Sequence, residues 1–171
     1  AVAERNKAEK VVGVLTGLFE QSNPFVVPGG DTLRVRDFVA QSEKTVAEMK
    51  DQPEVQARMW EVLGAIQQSR GNLPKALTFF ARADSIYELD PERKVDAARA
   101  LHLVAQATYL KEGAEVAEPL LRASLERHRQ LLGDTHPDVG AAMRDLAGTL
   151  LSTKPDEARS LLEAGLEISR R

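Results

Sequence analysis

The chain repeats itself at a step of 41 residues. Ala76, Ala117 and Ala158 are spaced by that step, and so are the apolar pairs Phe79-Phe80, Leu120-Leu121 and Leu161-Leu162 and the small residues Ala83, Ser124 and Gly165. Running the same step backwards reaches Val35, Phe38, Val39 and Ser42, which show the same order of apolar residue, apolar pair and small residue. A second pattern lies between these copies. Met59, Trp60, Leu63, Gly64, Ile66 and Gln67 are echoed by Leu101, Val104, Ala105 and Thr108, and again by Met143, Leu146, Ala147 and Leu150. Apolar residues at i, i+3, i+4 and i+7 mark amphipathic helices. Two alternating helix types at a fixed period of this length are the signature of stacked helix pairs, each of which needs its neighbours to bury its apolar face. The expected fold is therefore all-α: a right-handed α-solenoid of antiparallel helix pairs, about eight helices in all.

Boundary chemistry agrees with this. Asp51-Gln52-Pro53-Glu54, Thr135-His136-Pro137-Asp138 and Thr153-Lys154-Pro155-Asp156 each offer a capping residue, an early proline and an acid in the first turn. Asp90-Pro91 and Asn72-Leu73-Pro74 also read as helix starts. Pro119 conflicts, since it falls a few residues inside a helix beginning near Ala114; a mid-helix proline costs about 3 kcal/mol, less in the first turn. Residues 3–21 read as one helix with Val11, Val12, Leu15, Leu18 and Phe19 on its apolar face, and residues 22–32 (SNPFVVPGGDT) as an irregular loop. The expected organisation is one continuous solenoid: an N-terminal helix pair over 1–52, then repeats over 53–90, 91–132 and 135–170.

Composition narrows the function. Net charge is −3 with both signs mixed along the chain, so no basic block exists to read nucleic-acid phosphates. There is no cysteine, which removes disulfides, thiol catalysis and cysteine metal sites. No apolar run approaches the roughly 20 residues that span a bilayer, and none of these residues reads as a signal peptide. A start at Ala1 suggests a piece of a longer or processed protein.

The opening Trp60, Leu63, Gly64 and the second helix Ala76, Phe80, Ala83 resemble the tetratricopeptide repeat. The 41-residue step and the turn Leu132-Gly133-Asp134-Thr135-His136-Pro137-Asp138 are similar to the long variant of kinesin light chains and many bacterial proteins. A narrower resemblance rests on Ala8-Glu9-Lys10-Val11-Val12 through Leu18-Phe19-Glu20, on Asn23-Pro24, Gly30-Asp31-Thr32 and Val35-Arg36-Asp37, and on Gln52 through Arg58. These look like the C-terminal region of bacterial membrane-anchored serine/threonine protein kinases. That resemblance implies a sensor or scaffold on the extracytoplasmic side; without it, a cytoplasmic adaptor is implied.

No residue pattern supports catalysis. The chain has no glycine-rich kinase loop, no His-Arg-Asp and no Asp-Phe-Gly, no ordered Ser/His/Asp set, and no paired histidines at metal-ligand spacing. Gly29-Gly30-Asp31-Thr32 lacks the Gly-Lys-Ser/Thr ending of a phosphate loop and reads as a turn with a cap. No catalytic, metal or cofactor residue is expected. His136 reads as a turn cap, His128 as solvated or partly packed, and Trp60 as core. The helices of the first type would line a concave face. Positions flanking their packed stripe are Arg58, Glu61, Val62, Ala65 and Gln68, then Arg99, His102, Leu103, Gln106 and Tyr109, then Arg144, Asp145 and Gly148. The expected partner contacts are Arg58, Glu61, Gln68, Arg99, His102, Gln106, Tyr109 and Arg144. Arg58, Arg99 and Arg144 would form a guanidinium ladder suited to an acidic or C-terminal peptide. The alternative role is a spacer or self-associating segment, in which the partner is a second copy.

Overall fold

The structure, a computed structural model, describes residues 35–170 together with Gly13, with side chains from Val39 onward. Gly13 is helical; the rest of the expected helix over 3–21 and the loop over 22–32 lie outside the described residues. Seven α-helices and one short 3-10 turn make up the described residues: α1 (Val35–Glu48), α2 (Pro53–Ser69), α3 (Leu73–Glu88), the 3-10 turn Pro91–Arg93, α4 (Lys94–Glu112), α5 (Ala114–Leu132), α6 (Pro137–Leu150) and α7 (Pro155–Ser169). No strand occurs among them. Connections of one to a few residues force consecutive helices to pack as antiparallel neighbours.

Helix ends follow the capping signals, with shifts of one residue. Asp90 accepts from the Glu92 N–H at 2.9 Å and opens the 3-10 turn. His136 is the cap of α6, its Nδ1 accepting from the Asp138 N–H at 3.2 Å. Two expected caps move: α2 begins at Pro53 and α7 at Pro155, so the residue directly before each helix is Gln52 or Lys154, not Asp51 or Thr153. Proline at the first helical position fixes the start there, because its preset φ suits a helix and its missing N–H needs no partner. A single residue, Gly113, joins α4 to α5 at φ 93°, and its N–H bonds Tyr109 O at 3.0 Å. Only glycine takes that conformation without strain.

Packing divides the chain into two compact units, 1–63 and 64–171, with the boundary inside α2. In the first, Val39, Ser42 and Val46 of α1 are buried, as are Val55, Met59, Trp60 and Leu63 of α2. The Gln56 side chain donates to Val46 O at 2.8 Å and so satisfies an orphan carbonyl at the end of α1.

In the second unit the 41-residue pattern is a packing register. Ala76, Ala117 and Ala158 are all fully buried, and Ala83, Ser124 and Gly165 are buried two turns on. Phe80 packs with Leu103, Val104 and Ala107 of α4. Leu121 does the same one repeat later, with Val139, Ala142, Met143 and Leu146 of α6. Each such side chain, taken fully out of water, contributes about 1.5–3 kcal/mol. Leu162 holds the same register, yet it is 39% exposed against 1% for Phe80 and Leu121. The reason is positional: a following helix pair covers the first two, and no described helix follows α7.

Candidate functional site: a cleft across α4 and α6

The first-type helices α2, α4 and α6 recur at 41 and then 42 residues, which fixes their common register. Glu61, His102 and Arg144 share one position. So do Val62, Leu103 and Asp145; Ala65, Gln106 and Gly148; and Gln68, Tyr109 and Leu151. An open cleft of about 300 Å³ is lined by Gln68, Gln106, Tyr109, Leu110, Leu121, Arg144, Asp145 and Gly148. Of the residues expected from sequence, it brings together Gln68, Gln106, Tyr109 and Arg144, with Asp145 and Gly148 from the same helix faces. Tyr109 is 41% and Leu110 54% exposed, while Leu121 closes the floor at 1%. Gly148 holds the register position of Gln106, and a Cβ added there would meet nothing within 4 Å. The glycine leaves the cleft open.

Asp145 is the polar centre of the cleft. Its Oδ2 accepts from His102 Nε2 at 2.8 Å and from Gln106 Nε2 at 2.6 Å, tying α6 to α4. Burial alone would raise the Asp145 pKa; the hydrogen bonds from His102 and Gln106 outweigh it, and the net direction is down. Behind it, His102 Nδ1 lies 3.4 Å from Ser124 Oγ, and the His102 and His128 rings meet edge to face with centroids 6.0 Å apart. His128 Nδ1 lies 2.8 Å from the Ser124 carbonyl. A carbonyl only accepts, so that nitrogen carries a proton. Likewise His102 presents an N–H to the carboxylate through Nε2, which leaves Nδ1 to accept from the serine when the ring is neutral.

Ser124, His102 and Asp145 thus form a hydrogen-bonded chain in nucleophile–base–acid order, an order the sequence did not reveal. Ser124 is fully buried, so its hydroxyl cannot meet a substrate carbonyl, and the chain holds helices together. Among the described residues no group of three or more His, Asp or Glu is placed to hold a metal. No described helix is long and apolar enough to cross a membrane.

Other expected contacts take different positions. His102 turns into the Asp145–Ser124 network, with a side chain only 13% exposed. His128 is 2% exposed, not solvated; burial pushes its pKa down. Glu61 is 5% exposed and bonded to Arg58. Arg99 pairs with Asp96 at 2.7 Å and does not line the cleft. Arg144 does line it, and its Nη1 donates to Ser169 Oγ at 3.1 Å. Arg99 and Arg144 form no continuous ladder, for a reason of register: 42 residues after Arg99 stands Ala141, and Arg144 lies almost one turn beyond it. Sequence reasoning missed Leu110 and Leu121. Leu110 was legible, because it continues the face of Leu103 and Gln106 at i+7 and i+4. Leu121 reads as core in any repeat, and only an open cleft above it makes it a floor. A second concavity of about 450 Å³, between the end of α3, the start of α4 and the end of α5, holds none of the expected residues; the Glu88–Arg127 ion pair lies in its lining.

Comparison with known proteins agrees with this architecture. No curated protein matches the chain. Two solved structures of Podosopora anserina kinesin light chain proteins with nearly identical TPR-like repeats are similar to it. The first, a variant form, has a TM-score of 0.64 and 21% identity, covering 90% of this chain and 74% of that one. The second has a TM-score of 0.62 and 18% identity, covering 98% and 92%. Residues 96–171, from α4 through α7, match the tetratricopeptide repeat family model, and the fold of the chain is that of TPR-like helical repeats.

Proposed function

We propose that this chain is a non-catalytic protein-binding module that takes a peptide segment of its partner in the cleft across α4 and α6. One observation carries the reading. Gln68, Gln106, Tyr109 and Arg144, four of the eight contacts expected from sequence, line a single open cleft. Tetratricopeptide repeats generally mediate protein–protein interaction, so the match over residues 96–171 supports the same reading. A mixed lining of amide, aromatic and aliphatic groups suits a peptide, whose main chain needs hydrogen-bond partners and whose side chains need apolar contact.

The test is selection of displayed random peptides on the whole chain, followed by affinity measurement. Gly148→Trp should weaken the selected peptides at least about tenfold by filling the cleft, while circular dichroism stays unchanged because nothing stands near that Cβ. Peptides that bind both forms equally would overturn the reading.

The finer reading places this module in the C-terminal region of a bacterial membrane-anchored serine/threonine kinase, and it rests on the sequence resemblance over residues 8–58. Sequence upstream of Ala1 tests it: an apolar span of about 20 residues preceded by a kinase domain is expected. Self-association is the second reading, and the exposed Leu162 and Leu166 of α7 favour it. Sedimentation across a concentration range would show a dimer that Leu162→Glu dissolves; a monomer throughout would exclude it.

A further inference from the structure

The proposed peptide cleft carries its own charge preference, and the following rests on that reading. We infer that its occupant presents a lysine or arginine side chain, seated with the charged head on Asp145 and the stem along Tyr109 and Leu110. Three observations carry this. First, the Asp145 carboxylate is held in place. Both donors, His102 and Gln106, take Oδ2; Oδ1 has no hydrogen-bond partner among the described residues, and the side chain is 37% exposed. A carboxylate fixed from behind, with one oxygen open, meets a cation without first losing conformational freedom.

Second, the cleft offers an apolar path to that carboxylate. Tyr109 and Leu110 are about half exposed in its wall. A long basic side chain packs its methylenes on such a surface, and a tyrosine ring face attracts the cation. Third, the cation lining the cleft, Arg144, already donates to Ser169 and stands beside the negative charge of Asp145 in sequence. The Arg144 charge already acts on the Asp145 carboxylate and helps to keep it ionised, so it is partly compensated before any ligand arrives. The register offset that breaks the arginine ladder therefore also reverses the preferred ligand charge.

The experiment uses the whole chain and a fixed panel of fluorescein-labelled nonapeptides, identical apart from a central Lys, Arg, Gln or Glu in a Leu- and Ala-containing frame. The Lys and Arg peptides should bind at least about tenfold more tightly than the Glu peptide, with the preference shrinking as salt rises. Asp145→Asn keeps the acceptor for His102 and Gln106, so the fold persists; it should remove the preference for the basic peptides. Arg144→Ala should leave that preference intact. Peptides that are sensitive to Gly148→Trp but favour Glu, or that lose affinity with Arg144→Ala and not with Asp145→Asn, would overturn this inference and leave the cleft reading standing. Binding by no peptide of the panel would overturn this inference alone, whereas equal binding to the Gly148→Trp form would overturn both.

Discussion

At the scale of single residues, the smallest side chains decide how closely the helices approach. A Cβ on Gly64 would lie 2.5 Å from the Phe80 ring, which is itself 1% exposed and has nowhere to go. Gly64→Ala gains about 1 kcal/mol of helix propensity but overpacks at a cost of about 1–3 kcal/mol. The expected result is a lower urea midpoint, and an unchanged or higher midpoint would contradict the contact. Ala105 and Ala147 hold the equivalent positions, and the position of Phe80 is taken one and two repeats on by the smaller Leu121 and Leu162 rather than by a ring. His128 makes a second prediction. Its folded pKa is depressed by burial, so the unfolded chain binds the proton more readily. Stability is fully present above the usual histidine value of about 6.5 and is lost as pH falls below it. Denaturant unfolding at pH 7.5 and 5.5 should show that loss, and His128→Asn should reduce it.

At the scale of the helix, the strongest departure from local rules is Pro119. It lies in the second turn of α5, past the first turn where its missing N–H would be harmless. The ring also crowds the carbonyl of Glu115. The helix nonetheless runs unbroken to Leu132, because Ala117, Leu121, Ser124 and Leu125 are buried along its length. Tertiary packing outweighs the local penalty. Pro119→Ala should therefore raise stability by about 2 kcal/mol, read as a higher thermal midpoint; Pro119 is exposed, so no buried contact is lost. At the other end of α5, Gly133 at φ 81° closes the helix by donating to Arg129 O at 2.9 Å.

At the scale of the molecule, the second unit is a chain of nearest neighbours. Within it, α4 and α5 have packed helices on both sides, whereas α7 rests on α6. A surface network adds to its hold: Arg122 forks onto Glu157 at 2.7 and 3.0 Å and reaches Glu118, which also receives Lys154. The bond from Lys154, then that from Arg122, holds Glu118 below its usual range, and Arg122 does the same for Glu157. Their contribution is present at neutral pH and fades as pH falls through their lowered values. Nearest-neighbour stability predicts a gradient in native-state hydrogen exchange: slowest in α4 and α5, fastest in α7. Uniform protection across α4 to α7 would instead mark a single cooperative block.

Helix type and order, and a count close to the seven described, came from periodicity and boundary residues, because burial every three to four positions and a repeat every 41 are properties of the chain itself. The buried Ala76, Ala117, Ala158, Trp60 and Leu121 and the cap role of His136 were legible for the same reason. Side-chain partnerships were not. Whether His102 faces outward or bonds Asp145, and whether Arg99 is available or taken by Asp96, depends on which helix turn stands opposite. That is set by the single-residue change of step between α4 and α6 and by packing between positions 43 residues apart in the chain. The seven described helices were written locally, while the cleft, its carboxylate and its charge sense exist only once α4, α5 and α6 have come together.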